Sequence, residues 1–386
     1  MDISYIINEL AEERENYFNA VSPPIMQTSN FVFKTVDEMR QAFADEYSTY
    51  LYSRGRNPTV DILRKKLASL DGAEDCLVFN NGAAATFAAV VANVKSGDHM
   101  VCVDKPYTWT QKLCNEILPR FGVTTTYIDG TSIENFERAI LPNTTLIYLE
   151  SPNSWDYKLQ DLKAVAELAK AEGIITIIDN SYCTPLYQRP IEYGIDLVMQ
   201  TATKYISGHS DTLGGVLSGS RQMIEKIFNS EYMNAGAGIQ PFNAWLLLRG
   251  LRTLPARLNR INASTQKVLA YLKQHPKVES VIFPFDENFP QLALAKQQMS
   301  GACGLMTFII KAENIMQIEN FCNSLKHIYM AVSWGGHESL IIPKCSGIKR
   351  ESFIAASKEH RMLRLYVGLE EPEYLIKDLA QAFEKM

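Results

Sequence analysis

The sequence predicts an α/β protein, with a large domain on a mainly parallel sheet followed by a smaller C-terminal α+β domain. Three observations carry this expectation. From about residue 60, amphipathic helical stretches alternate with short apolar strands. One of these, Ile174-Ile175-Thr176-Ile177-Ile178, reads as apolar from end to end, as a strand covered on both sheet faces should be. Near residue 250 the pattern shifts to mixed strands and helices. A length of 386 residues suits one large domain plus a smaller one. The expected division is an N-terminal arm over 1–55, a large domain over 56–252 and a small domain over 253–386.

Composition excludes several classes. Hydrophobic residues make up 46% and charged residues 21%, the balance of a soluble globular chain. A net charge of −5 argues against a general nucleic-acid binder, which shows a basic face. The longest apolar runs are too short to span a bilayer. Met1-Asp2-Ile3-Ser4 lacks the basic-then-apolar layout of a signal peptide. Seven cysteines without a Cys-x-x-Cys pair indicate neither a zinc site nor a disulfide framework. A cytoplasmic location, with no metal and no membrane partner, is therefore expected.

Taken in order, residues 1 to about 55 lack a regular strand–helix alternation and end in a tyrosine- and arginine-rich run, Tyr47 to Thr59. Such an arm packs on its own subunit or reaches a neighbour. Leu63 to Leu70 reads as an amphipathic helix stopped at Asp71-Gly72. Cys76–Phe79 reads as a strand running through Asn80-Asn81-Gly82-Ala83 into an alanine-rich helix. A strand turning through small residues into a helix gathers free amides at a positive dipole end, which suits a phosphate; the alternative is tight strand–helix packing.

Met100–Val103 is the next strand, followed by Tyr107 and Trp109, aromatics able to cover a planar ligand. Thr124–Ile128 and Leu146–Leu149 read as strands, and Asp161–Ala171 as a helix stopped at Gly173. The strand ending at Ile178 delivers Asp179-Asn180 to its carboxyl end, where open α/β sheets bind ligands. A carboxylate there requires a cationic partner.

Ile195–Met199 and Gly214–Leu217 read as strands flanking Thr201-Ala202-Thr203-Lys204-Tyr205. A lysine at a strand end is open to desolvation, which exposes a nucleophilic amine able to form a Schiff base with a carbonyl or with pyridoxal phosphate. The competing reading is a lysine snorkelling to solvent or pairing with Asp179. Beyond a helix over Pro241–Leu251 come Val278–Phe283, Leu305–Ile310 and the segment Arg364–Glu370 before a terminal helix.

Together these stretches resemble the pyridoxal-phosphate enzymes of cysteine and methionine metabolism. The likeness is carried by Tyr52-Ser53-Arg54 with Asn57-Pro58-Thr59, by Asp179-Asn180, by Thr203-Lys204-Tyr205 with Gly208-His209-Ser210-Asp211, and by Arg364. It implies the fold-type I, aspartate-aminotransferase-like architecture and a homotetramer of catalytic dimers. It implies pyridoxal 5'-phosphate joined to Lys204, with Asp179 on the pyridine nitrogen and Tyr107 stacked on the ring. Lys204 and Tyr107 are then the catalytic pair. Gly82, Ala83, Thr201 and Thr203 would hold the phosphate, and Tyr52 and Arg54 would reach the phosphate of a neighbouring subunit. Ser333, Trp334 and Arg364 would line the substrate side, with Ser333 and Arg364 near its carboxylate.

The resemblance further implies a carbon–sulfur lyase in which freed Lys204 removes the substrate Cα proton. Ser154 and Ser333-Trp334-Gly335-Gly336 resemble bacterial cystathionine β-lyases, so β-elimination is expected. Val332, where γ-acting relatives commonly carry a glutamate, points the same way. The alternatives on the same fold are cystathionine γ-lyase, methionine γ-lyase and cystathionine γ-synthase. Arg56 and Trp109 also depart from the family pattern. Two rivals lie outside this chemistry. Gly208-His209-Ser210 prompts a serine hydrolase, but the elbow pattern needs glycine where Thr212 stands. A non-catalytic binding protein on the same fold is the other, against which the retained Lys204, Asp179 and Arg364 speak.

Overall fold

The computed structural model describes residues 1–386. The chain divides into two units: Met1–Ser151, Leu159–Ser207 and Asp211–Arg252 form the first, and Pro152–Lys158, Gly208–Ser210 and Thr253–Met386 the second.

The first unit is built on seven strands: β1 (Asp75–Phe79), β2 (His99–Val103), β3 (Thr124–Ile128), β4 (Thr144–Glu150), β5 (Ile175–Asp179), β6 (Leu197–Thr201) and β7 (Gly215–Gly219). Their order across the sheet is β1-β7-β6-β5-β4-β2-β3. Neighbours from β6 to β3 run parallel, while β7 lies antiparallel to both β6 and β1. All five residues of β2 are buried, and so are Thr176–Asp179 of β5. Thr176 is admitted to that apolar strand because its hydroxyl donates to Asp196 Oδ2 at 2.7 Å.

Helices cover the sheet, and their ends follow local chemistry. The helix Pro58–Asp71 begins with the Asn57 side chain accepting the Thr59 amide and with proline in its first turn, and it stops at Gly72 with φ +72°. Leu63, Leu67 and Leu70 form its buried stripe. The helix Leu162–Glu172 is capped by Asp161, whose carboxylate accepts the Ala164 amide, and it ends at Gly173 with φ +68°.

The N-terminal segment contains only short helices, Ile3–Asn8, the 3-10 turn Arg14–Tyr17 and Val36–Ala44. The first is held by Lys66, buried in the helix Pro58–Asp71, whose ammonium donates to the carbonyls of Ile6 at 2.9 Å and Ile7 at 3.0 Å. Further along, Phe18, Val32, Val36 and Phe43 are exposed.

The second unit carries β8 (Val278–Ile282), β9 (Leu305–Ile310), β10 (Tyr329–Met330), β11 (Leu340–Pro343) and β12 (Met362–Tyr366), in the order β10-β11-β12-β9-β8. The helices Leu254–Gln274 and Pro372–Phe383 belong to it. Phe308, Phe321 and Phe383 pack together in its core, with Phe321 and Phe383 ring centroids 4.5 Å apart. No helix of the chain is long and apolar enough to cross a membrane.

Candidate active site

The parallel strands of the first unit end at one level: Glu150 of β4 lies opposite Asp179 of β5, and Asp179 opposite Met199 of β6. Their carboxyl ends, with the turns that follow, bring together most of the expected site residues.

An anion cradle forms where β1 passes into the helix Gly82–Val91. Asn81 caps that helix through the Ala84 amide, at 2.8 Å. First-turn amides such as those of Gly82 and Ala83 have no intrahelical acceptor and stand at the positive end of the helix dipole. The turn is closed on Thr201: a Cβ on Gly82 would lie 2.8 Å from the threonine Cβ, so glycine is required by close approach. Two hydroxyls converge on the β6–β7 connection, Thr201 Oγ1 donating to the Gly214 carbonyl at 3.2 Å and Thr203 Oγ1 to the same oxygen at 3.3 Å. Amides, dipole and hydroxyls together fit a phosphate monoester.

Asp179 is buried at the end of β5. Burial raises its carboxyl above the ordinary aspartate range, while hydrogen bonds from Ser181 and the charge of Lys204 pull it back only in part. The Ser181 amide donates to Asp179 Oδ1 at 2.9 Å, and the Ser181 hydroxyl accepts the Thr201 amide at 2.7 Å, tying acid and cradle together. The carboxylate thus stands short of positive charge, which a protonated pyridine nitrogen supplies.

Lys204 lies in the turn after β6, half-buried, its amide donating to the Thr201 carbonyl at 3.4 Å. Its charge is felt at Asp179, as the last of the influences on that carboxyl. Tyr107 follows β2 and is 45% exposed, leaving its ring open to a stacking partner. Glu150 Oε2 accepts the Tyr107 amide at 2.6 Å and fixes the start of that turn. Burial, then the charges of Asp179 and Glu150, push the Tyr107 hydroxyl upward, so it stays protonated at neutral pH.

Tyr52 and Arg54 are exposed on the first unit, the Arg54 guanidinium 5.7 Å from the Tyr52 ring centroid. Arg56, which departs from the family pattern, is a structural anchor: it pairs with Asp61 Oδ2 at 2.6 Å. Trp109 is 58% exposed, with Lys112 Nζ 4.9 Å from its ring.

The second unit holds the expected substrate-side residues. Arg364 of β12 donates to the Ser154 carbonyl at 3.3 Å and lies 4.9 Å from the Trp155 ring. Ser333 has φ +81°, a backbone strain of the kind stored at ligand sites. Trp334 is 7% exposed and Val332 81%. Ser210, the residue behind the hydrolase rival, donates to both Glu338 carboxylate oxygens, at 2.7 and 2.8 Å. Sequence reasoning assigned no role to Glu150, Ser181 or Trp155. Ser181 was open to discovery as a hydroxyl two residues past the strand-end acid, whereas Glu150 and Trp155 gain their contacts only through the fold.

This sheet, with its cradle, buried acid and strand-end lysine, defines a pyridoxal-phosphate enzyme of fold type I. The chain matches the family described as Cys/Met metabolism PLP-dependent enzyme over residues 5–384, and it belongs to that family. It is 36% identical over 379 residues to an L-methionine gamma-lyase of Treponema denticola, covering 96% of this chain and 94% of the relative. It is also 36% identical over 372 residues to a cystathionine gamma-lyase of Bacillus subtilis, covering 95% of each. Among solved structures it is similar to a putative O-acetylhomoserine (thiol)-lyase of Campylobacter jejuni carrying N'-pyridoxyl-lysine-5'-monophosphate. That match has a TM-score of 0.92 and 26% identity and covers all of both chains. The cofactor of this chain is pyridoxal 5'-phosphate.

Proposed function

We propose that the chain is a carbon–sulfur lyase that performs γ-elimination on a sulfur amino acid, releasing a thiol, 2-oxobutyrate and ammonia. The observation that carries the lyase reading is the placing of buried Asp179 and half-buried Lys204 at the ends of neighbouring strands, beside the close approach of Gly82 and Thr201. The choice of γ over the β-elimination expected from Ser154, Val332 and Trp334 is supported by the methionine and cystathionine gamma-lyases among the relatives. Trp334 is packed away rather than presented as a wall, which removes one motive for the β reading.

In this reading the amides of Gly82 and Ala83 and the hydroxyls of Thr201 and Thr203 hold the phosphate. Tyr107 covers the ring, and Asp179 holds a proton on the ring nitrogen. Tyr52 and Arg54 reach the phosphate of a second copy. When bound, the cofactor supplies the electron sink for a carbanion at Cα. Lys204 Nζ takes the Cα proton and then serves at Cβ, where γ-elimination requires a second proton removal. Tyr107, protonated at neutral pH, has a proton to give to the departing sulfur. Arg364 receives the substrate carboxylate, with Ser333 beside it.

The test is keto-acid identification after incubation of holoenzyme with L-methionine or L-cystathionine. The proposal expects 2-oxobutyrate from at least one of them, and it falls if neither yields 2-oxobutyrate.

A further inference from the structure

The short stretch Tyr52–Asn57, within the first unit, is fastened along its backbone while two of its side chains stay exposed. The Tyr52 carbonyl accepts the Gly55 amide at 2.9 Å and the Arg56 amide at 3.2 Å, closing a turn. The Ser53 amide donates to the Ser29 carbonyl at 2.9 Å, and the Ser53 hydroxyl accepts from Asn57 Nδ2 at 3.0 Å. Gly55 is pressed against its surroundings: a Cβ there would lie 3.2 Å from the Phe228 ring and 3.3 Å from Met233 Sδ. Out of this turn stand the exposed side chains of Tyr52 and Arg54, in contact with each other.

Arg56 clamps the end of the turn to the helix Pro58–Asp71. Its Nε and Nη2 donate to Asp61 Oδ2, at 3.1 and 2.6 Å, and its Nη1 donates to the Tyr47 carbonyl. The pair is well covered, the Arg56 side chain being 14% exposed and that of Asp61 5%. The next cation, Arg64, comes no nearer to Asp61 than 3.9 Å. Arg56 therefore supplies the close positive charge that this covered carboxylate requires. Its planar donors grip helix and Tyr47 backbone at once, which a point charge on a lysine does less well. With its own charge committed to Asp61, Arg56 acts on the exposed pair only through the turn that its amide closes.

We infer that Arg56 is a positioning residue for the cofactor phosphate, holding Tyr52 and Arg54 in place for the site of a second copy of this chain. The inference rests on the role proposed for Tyr52 and Arg54, and it gives a task to a residue that departs from the family pattern.

The test reads cofactor occupancy, so turnover does not enter. Holoenzyme is equilibrated at graded pyridoxal phosphate and reduced with borohydride, which fixes the cofactor to Lys204 and labels only chains that keep this lysine. Arg56→Gln is expected to raise the half-saturating concentration by at least about tenfold, the scale of one hydrogen bond to a charged group. Arg56→Lys keeps a cation beside Asp61, and with it the fold, and should raise the concentration by a smaller factor. Reassembly with excess Lys204→Ala chains, whose Arg56 is intact, should return the label on Arg56-variant chains to the wild-type concentration. A merely structural defect would stay with the variant chain and survive mixing. Unchanged half-saturation in every folded Arg56 variant overturns the inference. So does a raised value that survives mixing while Arg54→Ala chains are corrected by the same treatment. If Arg54→Ala chains are not corrected either, the shared site itself is refuted, and this inference with it.

Discussion

Gly82 and Thr201 approach so closely that a Cβ on the glycine would lie 2.8 Å from the Cβ of the threonine. The contact joins the helix N-terminus to the end of β6, three residues before Lys204, and so sets the distance between phosphate cradle and lysine. Neither partner atom is the far end of a flexible side chain, so the clash has no cheap escape. Gly82→Ala is expected to fold but to weaken cofactor retention by at least about tenfold, the cost of displacing one well-made anion contact. Titrating apoenzyme with pyridoxal phosphate and following the visible absorbance measures it. Affinity equal to wild type would show that the cradle lies elsewhere.

Asp179→Asn should keep the fold and lose turnover by at least ~10²-fold, the scale of a preorganised charge contribution. A neutral amide is close in shape but cannot hold a proton on the ring nitrogen. Steady-state kinetics on fully reconstituted variant decides the matter, and near-normal kcat contradicts the role given to Asp179.

Asp71 makes stability depend on pH. Its carboxylate is fully buried and accepts from Gln200 Nε2 and from Ser218 Oγ, each at 2.6 Å, linking β6 to β7. Burial raises this carboxyl to about 7, against the lowering effect of those two hydrogen bonds and of Arg189. A carboxyl raised in the folded state keeps its proton there. Its contribution is complete below the unfolded value of about 3.9 and is lost as pH rises through about 7. Thermal unfolding of the apoenzyme should show wild type losing more stability than Asp71→Asn between about pH 5 and pH 8. Parallel curves would rule out this titration.

Tyr52 and Arg54 face outward, and the same N-terminal segment exposes Phe18, Val32, Val36 and Phe43. Exposed apolar residues are what an association face would offer, and we propose that the site is shared between copies. Mixing Arg54→Ala chains with Lys204→Ala chains should then regain activity, because one hybrid site keeps both residues. Reassembled mixtures as inactive as their parents would place the site within one chain.

Much of this was open to reading in the sequence, for identifiable reasons. The β5 run is apolar because both its faces are covered, and it therefore announced both the strand and the acid it delivers. The turn at Asn81-Gly82 announced a helix start because small residues there serve close approach. The antiparallel placement of β7 between β1 and β6 was not legible, since Gly215–Gly219 is buried from end to end like the parallel strand β2. The 21-residue helix Leu254–Gln274 was hidden by its position directly after another helix, separated only by Thr253. The meeting of Trp155 with Lys344 and Arg364 is a product of tertiary structure alone.

The most direct measurement is the product balance from L-cystathionine with purified holoenzyme. γ-Elimination consumes one water per turnover and releases cysteine, 2-oxobutyrate and ammonia in equal amounts. The proposed function predicts 2-oxobutyrate matched by cysteine, abolished in Lys204→Ala. Pyruvate matched by homocysteine would contradict it and restore the β-elimination first expected from Ser154 and Trp334.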